Sequence, residues 1–287
     1  MLPSRVPFFI FLFPVFLFAL TVSPNLNPQR VLWVLAITQV LLFPSIAVLT
    51  NHFEEQKNTG SSITKKKTIG WHGLAWTLTI SAIIFSYLYI NQTFTALLLL
   101  YFLASVSFSH PSIPWKKYLF LRLLLISFFQ GFISFITYYT GFNNYSLENL
   151  AHPWVLIPAV LSSVAMLAYL PLAKLEKYPG NTSEEKQALK NLHVQGTFYY
   201  AGNVALLAIV GFVLYAHYYL STGYVLPLGI AISPIAFLFF FWMRRVDRNS
   251  QLANRKNIFW LNIISAITLT LFFFYLFVDY TNILQVL

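Results

Sequence analysis

Apolar runs of about 20 residues, long enough to cross a bilayer as a helix, recur along the whole chain. The 287 residues are 58% hydrophobic and 9% charged, whereas soluble domains carry about 25% charged residues. A large soluble apolar core is therefore a poor alternative. Because lipid offers a backbone no hydrogen-bond partner, the crossing segments should be helices, and the sequence predicts an all-α polytopic membrane protein. The nine predicted spans are residues 6–22, 31–50, 70–90, 93–109, 119–139, 153–173, 197–220, 224–243 and 257–277.

The distribution of lysine and arginine indicates the orientation of these spans. If the N-terminus is cytoplasmic, every Lys and Arg except Arg30 falls on the cytoplasmic side. Cytoplasmic loops of membrane proteins carry this excess of positive charge. We therefore expect a multi-pass protein with a cytoplasmic N-terminus, in a bacterial inner membrane. The predicted cytoplasmic loops are residues 51–69, 110–118, 174–196 and 244–256.

Charge and cysteine content exclude several classes of partner and site. The net charge of +10 comes from short loops between apolar runs, so the positive-inside rule accounts for it and nucleic acid is not an expected partner. The absence of cysteine excludes disulfides and thiolate metal sites. No polar stretch is long enough for a separate soluble domain, so residues 1–287 are predicted to form a single integral membrane domain in the lipid bilayer.

The polar loop after the second span carries two adjacent carboxylates. Glu54 and Glu55 follow Asn51 at the end of a predicted helix. Adjacent carboxylates at a helix end can bind a hard cation such as Mg²⁺, with a substrate phosphate completing the shell. The alternative is a solvated helix terminus whose charges pair with nearby lysines such as Lys57.

The polar loop after the sixth span carries a second pair. Pro179-Gly180 should end the preceding helix. Glu184 and Glu185, shortly after Asn181, lie at the start of a predicted short helix. A short interfacial helix without function is the alternative here. Together, carboxylates from both loops, facing one another across a bundle, could hold cations that bridge a diphosphate.

The layout of nine spans, with polar loops after spans 2 and 6, resembles the UbiA superfamily of intramembrane prenyltransferases. Several shorter segments also look like segments of that family or a related one. They are Phe108-Ser109-His110-Pro111 followed by Lys116-Lys117, then Phe129-Gln130-Gly131-Phe132, Tyr169-Leu170-Pro171-Leu172 and Gly196-Thr197-Phe198. The family carries Asn-Asp-x-x-Asp-x-x-x-Asp in the first loop and Asp-x-x-x-Asp in the second, whereas neither loop of this chain contains an aspartate. The chain therefore looks like a divergent member.

The resemblance implies transfer of an isoprenoid from a prenyl diphosphate to an apolar acceptor, aromatic or lipid-like. It also implies that glutamates replace the family's aspartates as catalytic Mg²⁺ ligands, with asparagine, lysine and glutamine side chains binding substrate. The implied catalytic and metal-binding residues are Glu54, Glu55, Glu184 and Glu185, and the implied substrate-binding residues are Asn51, Lys116, Lys117, Asn181 and Gln130.

Two other functions remain open at this point. A non-catalytic membrane protein on the same scaffold, binding a lipid or a partner subunit, is favoured by the missing aspartates. A transporter would carry ionisable residues deep in its spans. The predicted spans contain no Asp, Glu or Lys, and Arg122 lies near the end of a span, which argues against transport.

Overall fold

The structure is a computed structural model that describes residues 12–58, 65–109, 119–145, 150–175, 183–248 and 255–281. Within these ranges all regular structure is helical, in nine helices. Two of the nine, α2 and α5, contain a central π-helical segment. The helices are α1, Leu12–Thr21; α2, which joins Pro28–Leu35, Ala36–Leu42 and Phe43–Asn58; α3, Lys65–Tyr89; α4, Gln92–Ser109; α5, which joins Leu119–Ser127, Phe128–Ile133 and Ser134–Asn143; α6, Pro153–Leu175; α7, Ser183–Tyr219; α8, Val225–Arg248; and α9, Arg255–Thr281.

Each of the nine predicted spans corresponds to one helix in the described residues. Seven helices contain a segment long and apolar enough to cross a membrane. The other two contain shorter apolar helices, Leu12–Thr21 and Gln92–Phe108, and the first part of the predicted span 6–22 lies outside the described residues. The prediction of an all-α polytopic protein is confirmed, and the chain is a multi-pass integral membrane protein.

Several helices continue past the predicted spans into the predicted cytoplasmic loops. Helix α7 has 37 residues, about 55 Å at 1.5 Å per residue, whereas the hydrocarbon core is about 30 Å thick. Helix α2 similarly continues beyond its apolar segment, which ends at Thr50, as far as Asn58. Hydropathy marks where the apolar segment of a helix ends, which need not be where the helix ends. Backbone hydrogen bonding can continue through polar helix formers such as Glu, Gln and Lys. Much of the loops predicted at 51–69 and 174–196 is therefore helical.

The helices divide into two compact units. Unit 1 contains residues 1–22, 116–135 and 153–287, and unit 2 contains residues 23–115 and 136–152. Helix α5 contributes to both, because its first part belongs to unit 1 and its last part to unit 2. The prediction of one domain over residues 1–287 stays a prediction.

Aromatic packing dominates the core of unit 1. The ring of Phe18 in α1 stacks on Phe273 in α9 at a centroid distance of 4.8 Å and also meets Phe135 and Phe212, each at 5.5 Å. Aromatic pairs in these geometries stabilise a fold beyond the area that they bury, by about 1 kcal/mol each. A second buried cluster of unit 1 is formed by Leu172, Phe198, Ala201, Trp242, Val246 and Leu261.

Hydrogen-bonded polar side chains hold the end of α5 within unit 2. Asn143 donates from Nδ2 to Ser23 Oγ at 2.9 Å, and its Oδ1 accepts from the backbone N–H of Asn25 at 3.1 Å. Asn144 follows with φ 58°, a left-handed conformation that asparagine tolerates better than most residues, and its Oδ1 accepts from Asn91 Nδ2 at 2.9 Å. The buried amide of Asn143 thus has protein partners, as buried polar groups usually do, whereas the bond between Asn91 and Asn144 is exposed.

Candidate functional site

The first predicted carboxylate pair lies on the helical continuation of α2 beyond its apolar segment. Glu54 and Glu55 are on the part of Phe43–Asn58 that follows Thr50, where the candidate span ends. Asn51 precedes them by three and four residues, the spacing at which positions on a helix are neighbours. Their side chains lie outside the described part of the structure, so their roles stay predictions.

The second predicted carboxylate pair lies in the first turn of α7, which begins at Ser183. Glu184 and Glu185 therefore begin one long membrane helix and not the short helix expected from the sequence. Carboxylates in a first turn are favoured by the helix macrodipole, by about 0.3–1 kcal/mol each, so stability alone accounts for their position. Their side chains, and the whole of Asn181, are outside the described residues.

The described side chains leave the metal prediction untested. Lys116 and Lys117 lie outside the described residues. Among the eight acidic residues of the chain, only Asp279 has a described side chain. No group of three or more His, Cys, Asp or Glu that could hold a metal occurs among the described side chains, which do not include the four glutamates predicted to bind Mg²⁺.

Two π-helical segments were not predicted from the sequence. Ala36–Leu42 interrupts α2 and Phe128–Ile133 interrupts α5. Such wider turns are rare and occur frequently at functional sites. Each of the two segments contains a single glutamine, Gln39 and Gln130. A polar amide at membrane depth is a sequence signal common to both segments.

Gln39 has a hydrogen-bond partner within unit 2. Its Nε2 donates a long hydrogen bond of 3.4 Å to the hydroxyl oxygen of Tyr138 on α5. Tyr138 is fully buried, so the amide links two helices in a water-poor region. Bonds of this kind between membrane helices contribute about 0.6 kcal/mol on average. We therefore interpret Gln39 as a structural residue.

Gln130 lies in a different environment, within unit 1. Its Oε1 is enclosed by protein, yet no hydrogen-bond donor reaches it in the described part of the chain. The next residue, Gly131, sits against the backbone of α6 so closely that a Cβ there would overlap Ser163. The backbone of Gly131 thus lies against α6, while the Oε1 of the neighbouring Gln130 has no donor in the described part of the chain.

Another polar contact lies at the opposite end of unit 1 from the start of α7. Tyr224, in the short 3₁₀ turn Thr222–Tyr224 before α8, donates from its hydroxyl to Asp279 Oδ2 at 2.8 Å. Asp279 lies at the end of α9. This pair connects two helix ends and provides a carboxylate for comparison with the predicted site.

A solved structure with a similar fold supports the fold predicted from the sequence. No family model matches the sequence, and no curated protein matches it. Among solved structures, digeranylgeranylglyceryl phosphate synthase, a UbiA-type membrane prenyltransferase, is similar at a TM-score of 0.58 and 15% sequence identity, over 92% of each chain. Similarity at this identity concerns the fold alone. The chain therefore has a UbiA-like membrane fold, as the sequence predicted.

Proposed function

We propose that this chain is an intramembrane prenyltransferase that moves an isoprenoid from its diphosphate to an aromatic or lipid-like acceptor. The observation that carries the proposal is the UbiA-like fold over 92% of the chain. The similar protein is a synthase of digeranylgeranylglyceryl phosphate, so geranylgeranyl diphosphate is the first donor to test. The N-terminus and the polar helix ends around Glu54 and Glu184 face the cytoplasm in this proposal.

The two glutamate pairs are the proposed ligands of the diphosphate's counterions. Carboxylate oxygens are the ligands that Mg²⁺ prefers, and Mg²⁺ usually keeps phosphate oxygens or waters in its shell. The donor chemistry of Glu54, Glu55, Glu184 and Glu185 fits this ion. When bound, Mg²⁺ would neutralise the charge that develops on a departing diphosphate. Asn51 and Asn181 would support the carboxylates by hydrogen bonding.

The lysines and the membrane interior have complementary roles in the proposal. Lys116 and Lys117 bind the remaining negative charge of the diphosphate, because an ammonium is an effective point charge for phosphate. The apolar helices hold the isoprenoid away from water, and water would otherwise capture a reactive carbocation. Gln130 is the proposed substrate-binding residue at membrane depth.

A non-catalytic protein that binds a lipid or a partner subunit is the second candidate. It is favoured by one observation: neither polar segment, 51–69 or 174–196, contains an aspartate. Glutamate carries one more methylene, and a misplacement of about 1 Å can reduce a rate by about 10²-fold. The two candidates differ in whether diphosphate is released.

Transfer of label from geranylgeranyl diphosphate into native membrane lipids, by the purified full chain with Mg²⁺, tests the proposal. The double variants Glu54→Gln with Glu55→Gln, and Glu184→Gln with Glu185→Gln, should each lose transfer by on the order of 10²-fold, the size of loss seen when an electrostatic contact to a transition state is removed. Thermal stability should change little, because these positions are outside the apolar spans.

Asp279→Asn is the matched control for these variants. It makes the same acid-to-amide change at a carboxylate that bonds to Tyr224, so it should leave transfer unchanged. If the wild-type chain and both glutamate variants transfer label equally, or if none transfers any, catalysis by these residues is contradicted and the non-catalytic candidate is preferred.

A further inference from the structure

The Oε1 of Gln130 is a buried polar atom that the described part of the fold leaves unsatisfied. Gln130 follows the start of α5 by 11 residues, about 16 Å along a helix, and therefore lies near the middle of a hydrocarbon core about 30 Å thick. Its Oε1 has no hydrogen-bond partner in the described part of the chain. An unpaired amide in an apolar environment costs about 1–3 kcal/mol as judged from protein mutations.

The nearest hydroxyl groups on the same helix cannot relieve this cost. Ser127, three residues before Gln130, donates to the carbonyl of Leu124 at 2.8 Å. Ser134, four residues after it, donates to the carbonyl of Phe129 at 3.2 Å. Both hydroxyl protons are used within α5, so the amide oxygen needs a donor from elsewhere.

Packing around the π-helical segment keeps the amide beside the contact with α6. Gly131 faces α6 at backbone distance, and successive helical residues are roughly a quarter turn apart. Gln130 as a whole remains partly exposed although its Oε1 is enclosed. The terminal torsion of a glutamine is soft, so the amide can turn towards a ligand on the exposed side.

We propose that Gln130 binds the hydroxyl group of an apolar ligand, accepting its O–H through Oε1. A charged ligand at this depth is excluded by the cost of bringing charge into the membrane. A hydrocarbon would leave the oxygen unpaired. A phenol or a lipid alcohol supplies one neutral donor on an apolar body. The inference rests on the proposed function only where this ligand is taken to be the prenyl acceptor.

Four probes separate the hydroxyl from the rest of the ligand. Nonylphenol and its methyl ether form one pair, and geranylgeraniol and its methyl ether form the other. Each ether keeps the apolar body but cannot donate. Binding is measured by the shift in melting temperature of the full chain in lipid nanodiscs, without Mg²⁺ or diphosphate. Ligand concentrations are expressed as mole fractions of the membrane, because an ether partitions more strongly than its alcohol.

The wild-type chain should bind at least one of the two hydroxyl probes about tenfold more tightly than its ether, the effect of one net hydrogen bond. The pair that shows the difference identifies the ligand as a phenol or a lipid alcohol. Gln130→Leu should bring the ratio to about one. Gln39→Leu, which removes the other glutamine in a π-helical segment, should preserve it. Gln130→Met is a second, unbranched replacement should Gln130→Leu fold poorly.

Equal binding of hydroxyl and ether by the wild-type chain in both pairs would overturn the inference. So would a preference that persists in both Gln130 variants. Neither result affects Mg²⁺-dependent binding of diphosphate by the glutamates, which is measured separately. Conversely, a hydroxyl preference that depends on Gln130, in a chain that does not bind diphosphate, would support this inference while contradicting the proposed function.

Discussion

The two π-helical segments differ in one decisive respect. Gln39 and Gln130 both lie near the middle of a candidate span, each in a wider helical turn. Gln39 donates to Tyr138, whereas the Oε1 of Gln130 has no partner in the described part of the chain. The residue type and the kind of helical turn are the same at both positions, so the difference in hydrogen bonding lies in what surrounds each amide.

The difference separates polar residues at membrane depth that stabilise the fold from those that need another explanation. A paired amide is explained by the stability of the helix bundle. A buried amide oxygen without a donor, next to a backbone contact as close as that of Gly131 and Ser163, is not explained by stability. Strained or unsatisfied groups that persist in a fold are frequently those that function requires.

The largest effect on this comparison is expected from Gly131→Ala. The added Cβ would overlap the backbone of Ser163, which cannot move aside as a flexible side chain can, so the contact between α5 and α6 must open. Overpacking of this kind costs about 1–3 kcal/mol, occasionally more. Thermal unfolding should show a clear loss of melting temperature.

Gly229→Ala is the matched control, because a Cβ at that helical position meets nothing within 4 Å. Its melting temperature should equal or slightly exceed that of the wild type, since alanine favours helices by about 1 kcal/mol over glycine. Equal stability of the two variants would contradict the close approach of Gly131 to α6.

A smaller loss is expected from Gln39→Leu. The change removes the hydrogen bond to Tyr138, worth about 0.6 kcal/mol on average between membrane helices. A double-mutant cycle with Tyr138→Phe measures the coupling directly. A coupling energy indistinguishable from zero would mean that Gln39 is not held by this bond, and the contrast with Gln130 would disappear.

No loss of stability, or a change of opposite sign, is expected from Gln130→Leu without ligand. Replacing an unpaired buried amide by an apolar side chain of similar size should leave the free energy of unfolding unchanged or raise it by about 1 kcal/mol. A loss as large as that of Gly131→Ala would show that Gln130 has a structural partner and would remove the basis for a ligand site.

Hydropathy and charge predicted the helices of this fold but not their full extent. The apolar segments of α2 and α7 were recognised because lipid requires them to be apolar. Their polar continuations to Asn58 and back to Ser183 were taken as loops, since polar helix formers carry no hydropathy signal.

The candidate site could be predicted only in part. Gln130 was identified from its resemblance to a Gln-Gly segment, but its unpaired oxygen depends on the serines around it and on α6. The π-helical turns have no composition that distinguishes them from α-helix. The four glutamates were chosen by adjacency and resemblance, and those roles stay predictions.

The central claim is that this chain binds a prenyl diphosphate through its glutamates and Mg²⁺. The most direct test is the melting temperature of the purified protein with geranylgeranyl diphosphate, with and without Mg²⁺. A ligand that binds only the folded state raises stability by about 2.7 kcal/mol at 100 times its Kd. We predict a rise that requires Mg²⁺ and is lost when Glu54, Glu55, Glu184 and Glu185 are all replaced by Gln. No shift in the wild-type chain, with donors of several chain lengths, would contradict the claim.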